Sequence, residues 1–155
     1  MTQEQQTAVK AVEEKQDLLG RVADEIWEYA ELSLQEVKSA ECYCQVLEEE
    51  GFRVERGICG IDTAFSAEFG NGSPRIGILA EYDALSGLSQ EAGSLERKEL
   101  ISGGCGHGCG HNLLGAGALG AALGVKAYLE KTGHPGTVIL YGCPGEEGGA
   151  AKAFM

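Results

Sequence analysis

Thr137-Val138-Ile139-Leu140-Tyr141-Gly142-Cys143-Pro144-Gly145-Glu146-Glu147-Gly148-Gly149 decides the architecture. Its first five residues form an apolar run that suits a buried strand. The chain then breaks into a glycine-rich loop holding two adjacent carboxylates. Upstream, residues 112–131 are rich in alanine and glycine and predict a helix whose small side chains allow close packing on a sheet. His134-Pro135-Gly136 stops it. Further upstream, Arg75 to Tyr82 predicts another strand, and its Ile76, Ile78 and Leu79 suit burial on both faces. Strand, helix, strand is a βαβ unit, so the expected class is α/β with a partly parallel sheet. Ligand sites in such sheets form beyond the strand ends, where both chemically loaded segments fall.

Toward the N-terminus the periodicity becomes helical. Val9, Val12, Leu19, Val22 and Ile26 predict one helix over about Thr7 to Ala30. Ser33 and Glu36 have the spacing of a capping box for a second helix, which ends at Gly51. Phe52 to Glu55 and Thr63 to Phe69 predict strands. Asn71-Gly72 before the Arg75 strand is a hairpin-type turn signal. Residues 83–105 form a long polar loop, of a length that is usually functional or mobile. Ala150 to Met155 predicts the first turns of a helix without a return to the sheet, so the chain is expected to be a piece of a longer protein.

The 155 residues suffice for one compact domain, and 43% hydrophobic content argues against disorder. A formal net charge of −12 disfavours nucleic acid and anionic membranes as partners. No stretch is expected to span a membrane, and Met1 to Gln6 lacks the basic and apolar regions of a signal peptide. The expected compartment is the cytosol. The six cysteines are then expected to be thiols and metal ligands rather than disulfides.

Cys105-Gly106-His107-Gly108-Cys109-Gly110-His111 places four soft or borderline ligands in seven residues, on one side of the chain if it runs extended. Thiolate and imidazole are the donors zinc prefers. The competing readings are a flexible glycine loop with incidental thiols and a closed structural zinc site, although one glycine between ligands is too short for the common CxxC knuckle. Glu146-Glu147 follows a buried strand, where one carboxylate can bind metal while the other takes a proton from water. Taken alone, the pair would suit an acidic helix start. Glu81-Tyr82-Asp83 ends the other buried strand and could bind metal or orient a ligand imidazole, or be an ordinary polar strand end. Cys42 and Cys44 point to nearly opposite faces of a helix and are not a metal pair. Cys44, Cys59, Cys143 and Trp27 are expected in the core and His134 at the surface. Glu48-Glu49-Glu50 is expected to be a solvated helix end.

Ala80-Glu81-Tyr82-Asp83-Ala84-Leu85, His107-Gly108-Cys109-Gly110-His111-Asn112 and Gly142 to Gly149 occur in an order that resembles the amidohydrolase branch of the M20 metallopeptidase family. Within it, the p-aminobenzoyl-glutamate hydrolase group is similar, and Ile26 to Glu31 and Glu50 to Val54 extend the likeness over nearly the whole chain. The resemblance implies a three-layer α/β/α catalytic domain with a mixed sheet. It also implies a cytosolic hydrolase of amide bonds in N-acyl amino acids or dipeptide-like substrates, with two divalent metals, zinc first and manganese or cobalt as alternatives. Position by position, it makes Cys109, His111 and Glu147 metal ligands and Glu146 the general base, with Asp83 beside the metals. Glu81 falls where sister branches place a ligand histidine, and its role stays open. His107 precedes the ligand cysteine, and Cys105 lies outside the motif. Asn112 and Ser86 replace an aspartate and a proline common in the family, and both replacements fit the p-aminobenzoyl-glutamate hydrolase group.

Family members are longer. They carry further ligand histidines, a C-terminal half of the catalytic domain and an inserted dimerisation domain, so residues 1–155 are expected to be the N-terminal part of that domain. The full-length form is expected to be a homo-oligomer or to need a partner subunit. Two other classes stay open: a non-catalytic zinc-binding or assembly module, such as half of a split enzyme, and a thiol-redox protein built on Cys105 and Cys109.

Overall fold

In the computed structural model, which describes residues 1–155, four helices and four strands build the chain. The helices are α1 (Gln3–Glu14), α2 (Gln16–Tyr29), α3 (Val37–Glu49) and α4 (His111–Thr132). The strands are β1 (Arg53–Arg56), β2 (Phe65–Asn71), β3 (Arg75–Ala80) and β4 (Gly136–Gly142). The sheet runs β1-β2-β4-β3, with β3 parallel to β4 and the other pairs antiparallel. The class is therefore α/β with a mixed sheet and flanking helices, and β3-α4-β4 is the expected βαβ unit.

The expected hairpin at Asn71-Gly72 does not form. The turn joins β2 to β3, but β4 inserts between them. The reason lies in the two apolar runs. Val138, Ile139 and Leu140 are all buried, so β4 takes the centre, where both edges are paired. Ile76 and Leu79 are 48% and 52% exposed, so β3 is an edge strand and is not buried on both faces as expected.

The N-terminal helix is two helices. Thr2 caps α1 through a reciprocal capping box with Gln5, and the helix breaks at Lys15 (φ −102°, ψ 9°). The break lets α1 lie along α4 while α2 turns Val22, Ala23 and Ile26 inward. Small residues on α4 admit both: a Cβ on Gly120 would lie 3.1 Å from Leu19 Cδ1, and one on Gly124 would lie 3.1 Å from Val12 Cγ2. The expected Ser33–Glu36 capping box is also absent. Glu31 does that work instead, accepting from the Lys38 and Ser39 amides and the Ser39 hydroxyl at 2.9–3.1 Å.

Contrary to the expectation from sequence, α4 is long and apolar enough to cross a membrane by length and composition alone. Half of its apolar window is buried, and it packs on α1, α2 and the sheet, as a core helix does. Cys59 is exposed in a 3-10 turn (Ile58–Gly60), not in the core, while Cys44 and Cys143 are buried as expected. Residues 151–153 form a 3-10 turn rather than an α-helix.

Tyr43, Phe65 and Tyr82 form an aromatic cluster with ring centroids 5.6–6.1 Å apart, between the sheet and the helices. The Tyr82 hydroxyl donates to the Thr63 carbonyl at 2.6 Å, which satisfies its polar end inside the core. Gly115 of α4 closes over this cluster: a Cβ there would sit 2.2 Å from Tyr43 Oη and 2.5 Å from the Glu81 carbonyl oxygen. Gly115→Ala is therefore expected to cost roughly 1–3 kcal/mol through overpacking. Gly117→Ala on the open side of the same helix, with nothing within 4 Å, should be neutral or gain up to about 1 kcal/mol. Urea denaturation of the two variants measures the difference, and equal stabilities would contradict the packing described.

Candidate metal centre

Because β3 and β4 are adjacent and parallel, the segments that follow them emerge at the same end of the sheet. Glu81-Tyr82-Asp83 leaves β3, and the 143–149 loop leaves β4. Tyr82 points into the aromatic cluster, so Glu81 and Asp83, one residue to either side, point away from it. His111 opens α4 at this end, preceded by Gly110 in the left-handed region (φ 78°).

Asp83 organises the group. Its Oδ1 lies 2.9 Å and its carbonyl oxygen 3.1 Å from His111 Nδ1. Both are acceptors, so Nδ1 carries the proton and donates. Asp83 Oδ2 accepts from Ser33 Oγ at 2.8 Å and from the Glu147 amide at 3.0 Å. The other ring nitrogen, His111 Nε2, faces Glu81 Oε2 at 3.1 Å, Glu146 Oε2 at 3.6 Å and Glu147 Oε1 at 4.0 Å. A ring protonated at both nitrogens would pair with these carboxylates, whereas a neutral ring would turn its Nε2 lone pair toward them. The neutral arrangement calls for a cation between them.

Two overlapping sets of donors can hold one. Cys109, His111 and Glu147 have ligand atoms within 4.8 Å of one another, and so do Glu81, His111 and Glu146. A thiolate, an imidazole and a carboxylate form a donor set that suits zinc. The residues present therefore fit a metal centre. Glu81 also pairs with Lys152, which supplies a positive charge beside the cluster. The Glu147 carboxylate lies within 4.8 Å of the exposed Cys109 thiol and holds its pKa above the ordinary thiol range.

The other members of the Cys/His run do not join. The backbone is not extended through it, and the four side chains do not converge. His107 is buried, its Nε2 donates to the Ile26 carbonyl at 2.9 Å, and its ring stacks on Trp27 at 6.3 Å. Burial pushes its pKa down, which keeps it neutral. Trp27 is half-buried and lines a cavity with Cys105, Leu100 and Ile101, away from the ligand set. His134 is exposed and pairs with the Tyr128 hydroxyl. The loop 83–105 is closed at its base by reciprocal Leu85–Gly106 backbone bonds of 2.9–3.0 Å.

Ser33, Glu36 and Lys152 were not singled out as site residues by sequence reasoning. Ser33 lies 50 residues from Asp83 and Lys152 lies 71 from Glu81, so no local spacing links them. Glu36 is fully buried, accepting from the Gly145 amide at 2.7 Å and from Thr63 Oγ1 at 3.1 Å. Its burial pushes its pKa up.

An α/β fold with a candidate metal centre of carboxylate, thiol and imidazole donors is the class these observations define. The chain belongs to peptidase family M20/M25/M40, whose model matches residues 77–155. It is 50% identical over 145 residues to a subunit of the p-aminobenzoyl-glutamate hydrolase of Escherichia coli K12, covering 94% of this chain and 30% of that protein. It is 31% identical to the Xaa-Arg dipeptidase of Mus musculus, covering 94% of this chain and 32% of that one. The chain thus spans about a third of the length of these relatives. Among solved structures, a protein from methicillin-resistant Staphylococcus aureus shares the fold with a TM-score of 0.76 at 22% identity, over 96% of this chain and 38% of that one. The Bacillus subtilis YxeP protein, described as a dinuclear metal binding peptidase of the M20 family, superposes with a TM-score of 0.63 at 27% identity. That match covers 83% of this chain and 34% of YxeP.

The Cys109–Glu147 contact has a measurable consequence. Removing the carboxylate charge should lower the thiol pKa toward its ordinary range, and the thiolate is the reactive form. In the metal-free chain at pH 8, Glu147→Gln is expected to speed alkylation of Cys109 by iodoacetamide several-fold, followed by peptide mass spectrometry. An unchanged rate would show that Glu147 does not control this thiol.

Proposed function

We propose that this chain is the N-terminal part of the catalytic domain of a metal-dependent amidohydrolase. Its substrates are N-acyl amino acids or dipeptide-like amides, with p-aminobenzoyl-glutamate-like compounds first among them. The observation that carries the reading is His111 Nε2 facing Glu81, Glu146 and Glu147, with the Cys109 ligand atom within 4.8 Å of those of His111 and Glu147. The relatives support the reaction class, since they are named as a hydrolase of an amide and a dipeptidase.

Cys109, His111 and Glu147 would hold one divalent ion, and Glu81 and Glu146 would offer carboxylate oxygens to a second beside it. We assign zinc first, with manganese or cobalt as alternatives. When bound, the ions supply Lewis acidity toward the scissile carbonyl and lower the pKa of water. Glu146 is the residue we assign as general base: it takes the proton from the attacking water and passes it to the leaving nitrogen. Its side chain is more exposed than that of Glu147, 39% against 23%, which suits a group that must meet solvent and substrate. Asp83 acts through His111, fixing its tautomer and aiming Nε2 outward. The set Cys109, His111 and Glu147 is open, and we assign its completion to residues outside 1–155. A partner subunit for the full-length form is consistent with the Escherichia coli relative, which is named as one subunit of its hydrolase. We place the protein in the cytosol.

Zinc titration against a chromogenic chelator tests the site. Glu147→Gln is expected to weaken zinc binding by about tenfold or more, the scale on which metal-site partners act. Unchanged affinity would show that Glu147 does not hold the ion and would count against the proposal. In the full-length protein, Glu146→Gln is expected to lower kcat by about 10²–10⁴-fold, the usual contribution of a general base, with zinc content unchanged.

A further inference from the structure

Glu36 is a carboxylate with no exposure, held by two hydrogen bonds inside the protein. A buried carboxylate costs stability unless each oxygen is satisfied, so its retention calls for a reason. It does not cap α3, because it makes no side-chain bond at that terminus. Its partners are elsewhere: Oε2 accepts from Thr63 Oγ1 just before β2, and Oε1 accepts from the amide of Gly145 after β4.

Gly145 is the base of the loop that carries the two glutamates. It sits in the left-handed region at φ 64°, and its carbonyl accepts from the amides of Gly149 and Ala150, both at 2.7 Å. The loop therefore closes on Gly145. Two residues on, the Glu147 amide is fixed by Asp83 Oδ2 at 3.0 Å. Glu146 lies between two amides, each locked to a different buried carboxylate: Glu36 on one side and Asp83 on the other. Only the second was legible as part of the site.

We infer that Glu36 is a positioning residue of the metal centre, setting the course of the Gly145–Glu147 backbone so that Glu146 and Glu147 face His111. The inference rests on the metal-site reading above. It is a claim about reach rather than charge. Glutamine keeps the length and an oxygen for the Gly145 amide, and its nitrogen can donate to Thr63. Aspartate keeps the charge and is one methylene too short.

Two readouts on the whole chain test it. Amide hydrogen exchange at Gly145, measured without metal, reports the bond directly. Zinc affinity, measured well below the melting temperature, reports its consequence. Glu36→Asp is expected to accelerate Gly145 exchange and to weaken zinc binding about tenfold, the scale of outer-sphere partners. Glu36→Gln should retain both. If Glu36→Asp fails to fold, Thr63→Val, which frees Oε2 alone, should shift both readouts in the same direction by less. A loss in the Gln variant as large as that in the Asp variant would overturn the inference, because reach alone would then not preserve the loop. So would intact exchange and affinity in the Asp variant, or in Thr63→Val where that variant carries the test. A purely structural role would lower the melting temperature and leave zinc affinity of the folded molecule unmoved, and that result also overturns it. Failure of the metal-site reading would appear separately, as zinc affinity indifferent to Glu147→Gln, while the metal-free exchange result would stand by itself.

Discussion

Asp83 is the interaction on which the rest of the site depends. It is 1% exposed, and its side-chain oxygens accept from His111, Ser33 and the Glu147 amide, while its carbonyl accepts from His111 as well. Three separate stretches of chain thus meet on one residue. A carboxylate so deeply buried is tolerated because charge-assisted hydrogen bonds replace the water it loses. Its effect is directional. By binding the Nδ1 side of His111 it leaves only Nε2 free, and by binding the Glu147 amide it brings that glutamate to the free side.

The sheet makes this meeting possible. The Asn71-Gly72 turn joins β2 and β3 without pairing them. The insertion of β4 between them, parallel to β3, puts Glu81 to Asp83 beside the 143–149 loop. The same topology is required by burial, since the most continuous apolar run belongs at the centre. Packing and site geometry therefore follow from one choice, and Gly115, pressed against Tyr43 and the Glu81 carbonyl, ties α4 to both.

Much of this was legible in the sequence because it is local. The βαβ unit shows in its apolar runs, and Cys109, His111, Glu146 and Glu147 announce themselves by chemistry and close spacing. What could not be read is what depends on distance. Ser33 and Glu36 have the spacing of a capping box, and nothing local says that tertiary partners 50 and 109 residues away will claim them. Competition from Glu31 for the α3 amides decides the matter, and it is visible only in three dimensions. The hairpin expectation failed for a related reason: a turn signal specifies a reversal of the chain, not which strand fills the neighbouring place. His107 misled because alternation implies a shared face only on an extended chain, and here its ring is drawn to the Ile26 carbonyl and Trp27.

The remaining tension in the structure is electrostatic. Glu81, Asp83, Glu146 and Glu147 crowd one imidazole in a chain whose formal net charge is already −12. Like charges about 4 Å apart repel by roughly 4 kcal/mol at the effective dielectric of a protein surface. Asp83 escapes much of this through its three side-chain hydrogen bonds, and Glu81 through Lys152. Glu146 and Glu147 have no lysine or arginine partner and converge on His111 Nε2. Positive charge at this point would relieve the repulsion, and any ion that binds the folded chain in preference to the unfolded one also stabilises it. Hydrogen bonds to Glu36 and Asp83 fix the Gly145 and Glu147 amides beneath these two side chains. A cation bound among these carboxylates would replace mutual repulsion with attraction to a shared charge.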